Sequence, residues 1–156
     1  MNKLQELRKI LIERELNISV AESCTGGMLA QHLTKYPGSS SYFDRGFITY
    51  TNQSKIDELG VNSSAIDEFG AVSLEVASEM VKGVNKKSRT SISISITGIA
   101  GPGGATSGKP VGTVCFGFIV NGELFAEKKL FSGDRDLIIQ SSVNFAIEYI
   151  FNQIKI

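Results

Sequence analysis

Residues 91–97 alternate serine with isoleucine, Ser-Ile-Ser-Ile-Ser-Ile-Thr, and this pattern constrains the fold more than any other. Successive side chains of a β-strand point to opposite faces of the sheet, so this strand has one apolar face and one small face. The small face lets a helix pack closely against it. The segment therefore predicts a strand in a sheet that helices cover.

The other segments extend this prediction to a whole domain. Apolar residues at helical spacing predict a first helix over residues 3–16, a second over about 25–35 and a last one that Asp134 caps. Strands are predicted at 18–21, 47–51, 111–120 and 124–131, the last two joined by an Asn121-Gly122 hairpin turn. Helices and strands alternate, which favours one domain over residues 1–156. Its predicted fold class is α/β, a three-layer α/β/α sandwich with a mixed sheet.

Charge and composition narrow the possible partners. The chain has 16 basic and 16 acidic residues, and this balance argues against general nucleic-acid binding, although a local basic pocket for one small anion is compatible with it. Neither a signal-peptide pattern nor an apolar run of about 18 residues is present, so we expect a cytoplasmic protein with no membrane contact.

Cysteine and histidine content bears on redox and metal chemistry. Cys24 and Cys115 form no paired motif and are predicted to be free, buried thiols. His32 is the one histidine and is predicted to lie on a helix surface, so no metal site is expected.

Two glycine-containing loops are candidate binding sites because each follows a predicted strand. In the first, Thr25, Gly26 and Gly27 could offer backbone N–H groups to a phosphate or carboxylate, or could simply form a capped turn. Ser23 and Cys24 beside them could be nucleophiles, but no base lies nearby in the sequence. The second loop, residues 98–108, could approach a ligand closely or form a flexible connection.

The segment from residue 37 to residue 55 contains a candidate base. With Asn52 as the N-cap, Lys55 would face the positive end of a helix, which together with burial would lower its pKa enough for a general base. Tyr50 could orient that lysine. From the residues alone, a solvated Lys55 and a Tyr50 packed on the core are favoured. Arg45 could pair with Asp44, and Arg135 with acidic neighbours.

Six segments in order resemble one known family. AESCTGG, GSSSYFDRGFITYTNQSK, GAVS, ITGIAGPGG, KPVGTV and FSGDRD are similar to motifs of the C-terminal domain of the CinA competence/damage-inducible proteins. The resemblance runs from about residue 5 to residue 150. We expect a stand-alone member, without the N-terminal domain that other members carry.

The resemblance implies hydrolysis of nicotinamide mononucleotide to nicotinate mononucleotide and ammonia, in pyridine-nucleotide recycling and without a cofactor. It also implies a homodimer. The family's serine, tyrosine and lysine fall on Ser40, Tyr50 and Lys55, with Ser39 as the alternative nucleophile. The predicted substrate-binding residues are Ser23, Thr25, Gly26, Gly27, Ser39, Arg45, Thr97, Gly98 and Gly101.

On this hypothesis Ser40 attacks the carboxamide carbon and neutral Lys55 accepts the serine proton, while Tyr50 bridges the two or donates toward the departing ammonia. The substrate phosphate meets either the turn at residues 25–27 or the loop at 98–104. The alternative function is a non-catalytic nucleotide-sensing or interaction module linked to competence or the DNA damage response.

Overall fold

The structure, a computed structural model, describes residues 1–156. Six helices and five strands follow one another along the chain. The helices are α1 Lys3–Glu13, α2 Met28–Leu33, α3 Asn52–Leu59, α4 Ser63–Phe69, α5 Leu74–Ser88 and α6 Arg135–Ile154. The strands are β1 Ile18–Glu22, β2 Phe43–Ile48, β3 Ile92–Gly98, β4 Thr113–Val120 and β5 Glu123–Leu130. The predicted α/β class is confirmed.

The strands form one mixed sheet in the order β2-β1-β3-β4-β5. Strand β1 lies between β2 and β3 and runs parallel to both, whereas β4 and β5 are antiparallel additions. The carboxyl ends of β1, β2 and β3 therefore meet at one edge of the sheet, which we call the carboxyl edge. Ligands of open α/β sheets bind at such an edge.

Helices cover both faces of the sheet, as predicted from the serine–isoleucine alternation. Ile92, Ile94 and Ile96 pack into a core with residues of α1, α2 and α6. On the opposite face Ser95 donates from Oγ to the Ala77 carbonyl of α5 at 2.6 Å. Small side chains thus bring α5 to within hydrogen-bond distance of the sheet.

Some local predictions were confirmed and others shifted. The hairpin turn has Asn121 at φ 49° and Gly122 at φ 86°, as a turn of mirror-image type requires. Strand β2 begins at Phe43, earlier than predicted. Its start was not predicted because β2 is an edge strand with mostly exposed residues and no apolar alternation. The N-cap of α3 is Thr51 rather than Asn52, and its Oγ1 accepts from the Ser54 N–H at 3.1 Å.

Both cysteines are free and buried, as predicted. None of the helices combines the length and the apolar character that a membrane crossing requires.

Candidate functional site

Lys55 on α3 is the most unusual charged residue of the chain. Its side chain is 1% exposed, and its Nζ lies 3.0 Å from Ser23 Oγ and 2.8 Å from the Thr49 carbonyl oxygen. No carboxylate forms an ion pair with it, since the two ion pairs of the structure involve other residues. Burial lowers the pKa of Lys55 below the ordinary lysine value. The favoured interpretation of Lys55 as a solvated lysine was therefore wrong.

Ser23 is the hydroxyl that faces this amine. It follows β1 directly and is 7% exposed. Its backbone N–H donates to the Ile96 carbonyl at 3.0 Å, which fixes it against β3. A neutral amine 3.0 Å from a serine hydroxyl can accept the hydroxyl proton when the oxygen attacks an electrophile.

Cys24 is next to Ser23, but its environment does not favour a nucleophile. Burial raises the pKa of the Cys24 thiol to about 12, so the thiol stays protonated near neutral pH. The thiolate is the reactive form of cysteine, so a protonated Cys24 is not suited to act as a nucleophile. We therefore treat Cys24 as a residue that lines the pocket.

A pocket of about 310 Å³ opens at the carboxyl edge beside Ser23. This volume is at the small end for ligand sites and suits one small molecule. Ser23 and Cys24 lie on one side of it, and the glycine-rich loop lies on the other. The lining residues are Ser23, Cys24, Tyr50, Gly98, Ile99, Ala100, Gly101, Gly103, Gly104 and Arg135.

Arg135 brings a positive charge into this pocket, a role that was not predicted from the sequence. Its Nη1 donates to the Gly101 carbonyl at 2.8 Å and its Nη2 donates to Tyr50 Oη at 2.8 Å. It forms no ion pair with its acidic neighbours. Tyr50 is 55% exposed, so the alternative in which it packs on the core was also wrong. The signal that could have located Arg135 was its place inside the FSGDRD motif.

Ser40 lies away from the pocket. It belongs to the short 3₁₀ turn Ser39–Ser41 that precedes β2, whereas Tyr50 and Lys55 follow β2. A six-residue strand separates its two ends by roughly 16 Å at about 3.3 Å per residue. Within one chain Ser40 therefore does not reach Lys55. The position beside Lys55 that was predicted for Ser40 is occupied by Ser23.

Two more predicted binding residues also lie outside the pocket. Ser39 is in the same 3₁₀ turn as Ser40. Arg45 is on β2 and pairs with Asp44, as the sequence suggested. Neither residue lines the pocket at the carboxyl edge.

The turn at residues 25–27 and the start of α2 after it bind a side chain of the protein itself. Glu22 accepts from the backbone N–H groups of Leu29 and Ala30 at 2.8 and 3.0 Å, and from Thr25 Oγ1 at 2.6 Å. Since the start of α2 already holds this carboxylate, it is not open to a phosphate. Of the two interpretations of this segment, the capped turn agrees with these contacts. Gly26 and Gly27 have the positive φ angles that the turn requires, 57° and 104°.

Of the three binding residues predicted in and beside the glycine-rich loop, two line the pocket. Gly98 and Gly101 line the pocket, while the buried Thr97 donates from Oγ1 to the Ala71 carbonyl at 2.9 Å. Lys109 at the far end of the loop donates to the Phe69 carbonyl at the end of α4. Thr97 is therefore a structural contact, and Lys109 ties the loop to α4.

Histidine and acidic residues do not gather around this pocket. His32 bonds through Nδ1 to the Met28 carbonyl at 2.8 Å on α2. Nowhere in the chain do three or more His, Cys, Asp or Glu side chains form a group that could hold a metal ion.

The sequence matches one protein family over nearly its whole length. The profile of the CinA C-terminal domain matches residues 2–154. A protein of Clostridium botulinum strain Langeland, provisionally named competence-damage inducible protein, is 46% identical over 149 residues, which are 96% of this chain and 36% of that protein. A relative of the same name in Alkaliphilus metalliredigens is 46% identical over 146 residues, 94% of this chain and 36% of its own length. The chain thus spans about a third of the length of the curated relatives it matches.

Solved structures share the fold over most of both chains. The crystal structure of a competence-damaged protein (CinA) superfamily protein from Escherichia coli is 35% identical with a TM-score of 0.92, covering 96% of this chain and 87% of that one. The competence/damage inducible protein CihA from Agrobacterium tumefaciens is 39% identical with a TM-score of 0.89, covering 97% and 96%.

Proposed function

The chain belongs to the CinA C-terminal domain family, and from that premise we propose that it hydrolyses the carboxamide of nicotinamide mononucleotide with Ser23 as nucleophile and Lys55 as general base. One observation carries the assignment of the residues: the buried Lys55 Nζ lies 3.0 Å from Ser23 Oγ, with no carboxylate paired to it.

The protonation state of Lys55 supports this pair. A protonated amine at this position would be a buried charge with only the Ser23 hydroxyl and the Thr49 carbonyl as acceptors. Burying a charge with so little compensation is costly, so the neutral amine is favoured. A neutral amine keeps a lone pair, and Ser23 is the donor within its reach.

The reaction then proceeds in two halves. Ser23 Oγ attacks the carboxamide carbon while its proton moves to Lys55 Nζ, and the tetrahedral intermediate collapses as Lys55 returns that proton to the departing ammonia. Water attacks the resulting ester, Lys55 takes a proton from the water, and the proton passes to Ser23 Oγ as the carboxylic acid product leaves. The residues end in their starting state.

Backbone donors near Ser23 are suited to hold the oxyanion of these intermediates. The N–H groups of Thr25, Ala100 and Gly101 donate no hydrogen bond to another backbone group. A correctly aimed donor of this kind contributes about 3 to 4 kcal/mol to the transition state. Ala100 and Gly101 line the pocket, and Thr25 comes two residues after Ser23.

Arg135 is the residue that we assign to the substrate phosphate. It is the cation that lines the pocket, and a guanidinium binds phosphate through two parallel N–H donors. Tyr50, which already accepts from Arg135, orients that guanidinium at the pocket mouth. This assignment selects the loop at residues 98–104 over the turn at 25–27, because Glu22 already occupies the N–H groups of Leu29 and Ala30 in the helix that follows that turn.

The test is the release of ammonia and nicotinate mononucleotide from nicotinamide mononucleotide by the purified protein. Ser23→Ala is expected to lose at least about a thousandfold in kcat, whereas Ser40→Ala, which changes an exposed serine outside the pocket, serves as the matched control and retains activity. A wild-type protein that binds the nucleotide but releases no ammonia would instead support the non-catalytic module.

A further inference from the structure

Two charged side chains of this protein are almost fully buried, and the proposed function uses only one of them. Lys55 and Glu22 are each 1% exposed. Glu22 pairs with no lysine or arginine. It is the last residue of β1 and directly precedes Ser23. A buried carboxylate without a cation needs other donors, and here the start of α2 supplies them.

The carboxylate of Glu22 substitutes for a missing helix cap. The N-cap position of α2 is Gly27, which has no side chain and makes no capping hydrogen bond. Glu22 Oε1 accepts from the Leu29 N–H and from Thr25 Oγ1, and Oε2 accepts from the Ala30 N–H. Both oxygens are therefore used at the positive end of the helix, where a negative charge is stabilised.

Backbone hydrogen bonds also fix the turn that carries Ser23 to the neighbouring strands. The backbone carbonyl of Glu22 accepts from the Thr49 N–H at 2.8 Å, and the Ser23 N–H donates to Ile96 at 3.0 Å. Successive side chains at the end of a strand point to opposite faces. Hence Glu22 holds the turn against α2 on one face, while Ser23 faces Lys55 of α3 on the other.

We propose that Glu22 is a positioning residue, which holds Ser23 Oγ at its distance from Lys55 Nζ by fixing the turn to α2. This inference rests on the proposed function of Ser23 and goes beyond it. Glu22 does not touch the reacting atoms. Its role needs a carboxylate, because three donors converge on its two oxygens and an amide would set an N–H₂ donor against one of them.

Glu22→Gln tests the inference through the reactivity of Ser23. The probe is a fluorophosphonate, which forms a covalent bond with an activated serine oxygen as fluoride leaves and can be located by mass spectrometry. We expect the labelling rate of Ser23 and kcat for nicotinamide mononucleotide to fall together by about tenfold to a hundredfold, because a small misplacement of a reacting group has that effect. KM is expected to stay the same, since the pocket walls are unchanged.

The chain offers a matched control for a purely structural effect. Glu79 on α5 also accepts from a backbone N–H, that of Asn62 before α4, at 2.9 Å, and from Asn62 Nδ2 at 3.0 Å. It lies outside the pocket that Ser23 lines. Glu79→Gln makes the same chemical change at a partly exposed carboxylate away from the pocket and is expected to leave Ser23 labelling unchanged.

A second pair of variants keeps the inference testable if Glu22→Gln does not fold. Thr25→Val removes the hydroxyl donor to Glu22 at nearly constant shape and is expected to slow Ser23 labelling, whereas Thr25→Ser keeps the hydroxyl and restores the rate. A wild-type labelling rate in Glu22→Gln, or in Thr25→Val where Glu22→Gln does not fold, would overturn the positioning role. A wild-type protein whose Ser23 is not labelled would overturn the proposed function, and the positioning role with it.

Discussion

At the level of single residues, the amine of Lys55 makes stability depend on pH in a defined direction. Burial lowers the pKa of Lys55, so between that lowered pKa and the ordinary lysine value the unfolded chain binds more protons than the folded protein. The free energy of unfolding therefore rises with pH across this window. Below the window both states are protonated, and the folded protein bears the full cost of the buried charge.

Lys55→Met is expected to remove this pH dependence. The free energy of unfolding of wild type, taken relative to that of the variant, should rise from neutral to alkaline pH by at most about 1.4 kcal/mol per pH unit. Chemical denaturation at a series of pH values measures it. Lys82→Met, at an exposed position of α5, controls for the loss of a lysine. A difference that stays constant with pH would contradict a lowered pKa.

Arg135→Gln is expected to weaken recognition of the phosphate rather than the chemistry. A charge-assisted hydrogen bond is worth about 1.5 to 3 kcal/mol, so kcat/KM for nicotinamide mononucleotide should fall by about tenfold to a hundredfold. The value for nicotinamide riboside, which lacks the phosphate, should change little. Arg45→Gln on β2 is the control outside the pocket. Equal losses for nucleotide and riboside would rule out a phosphate contact.

Single residues also show where the sequence was informative about the site. Lys55 was identified as a possible low-pKa base from its place near a helix start, although its cap proved to be Thr51. Its burial comes from packing against residues distant in the chain, and local sequence does not encode that packing. Arg135 was missed for the same reason, because its contacts to Tyr50 and Gly101 span 85 and 34 residues.

At the level of elements, the parallel strands decide which serine meets the lysine. Ser40 is closer to Lys55 in sequence than Ser23 is, but β2 lies between them and carries the chain across the sheet. Ser23 is 32 residues away, yet β1 and β2 are parallel neighbours that end at the same edge. The meeting of Ser23 and Lys55 depends on the order of strands in the sheet, whereas the sequence predicted only that the sheet is mixed.

Lys109→Met tests the attachment of the glycine-rich loop. The loop forms one wall of the pocket, and Lys109 connects it to the carbonyl of Phe69. Loss of that bond should loosen the wall, so KM for nicotinamide mononucleotide is expected to rise severalfold, to about five times the wild-type value, at nearly constant kcat. Hydrogen exchange of residues 103–108 should accelerate. Unchanged exchange and KM would mean that the loop holds its position without Lys109.

At the level of the whole molecule, the close approach of α5 to the sheet depends on small residues. A Cβ at Gly117 of β4 would lie 2.5 Å from both the Ala77 carbonyl oxygen and Ser95 Oγ. Gly117→Ala is therefore expected to lower the free energy of unfolding by about 1 to 3 kcal/mol. Gly103→Ala, where a Cβ meets nothing within 4 Å, is the control for thermal unfolding. A variant as stable as wild type would show that α5 can shift.

The layer architecture of the molecule could be predicted well because it follows from periodicity. Residues 91–97 fixed the two faces of β3, and the Asn121-Gly122 turn fixed the hairpin, since both depend on local chemistry. Edge strand β2 was misplaced because its residues are largely exposed and lack that periodicity. The candidate site depends on how the layers meet: the local residues offered Ser23 as a possible nucleophile without a base, and the order of the strands brings Lys55 to it.

The central claim is that Ser23 and Lys55 act together as nucleophile and base, and the residue that a fluorophosphonate modifies tests it most directly. After labelling of the wild-type protein, peptide mass spectrometry is expected to find the adduct on Ser23, and Lys55→Met is expected to lose it. An adduct on Ser39 or Ser40, or an adduct on Ser23 that forms equally fast in Lys55→Met, would contradict the pair.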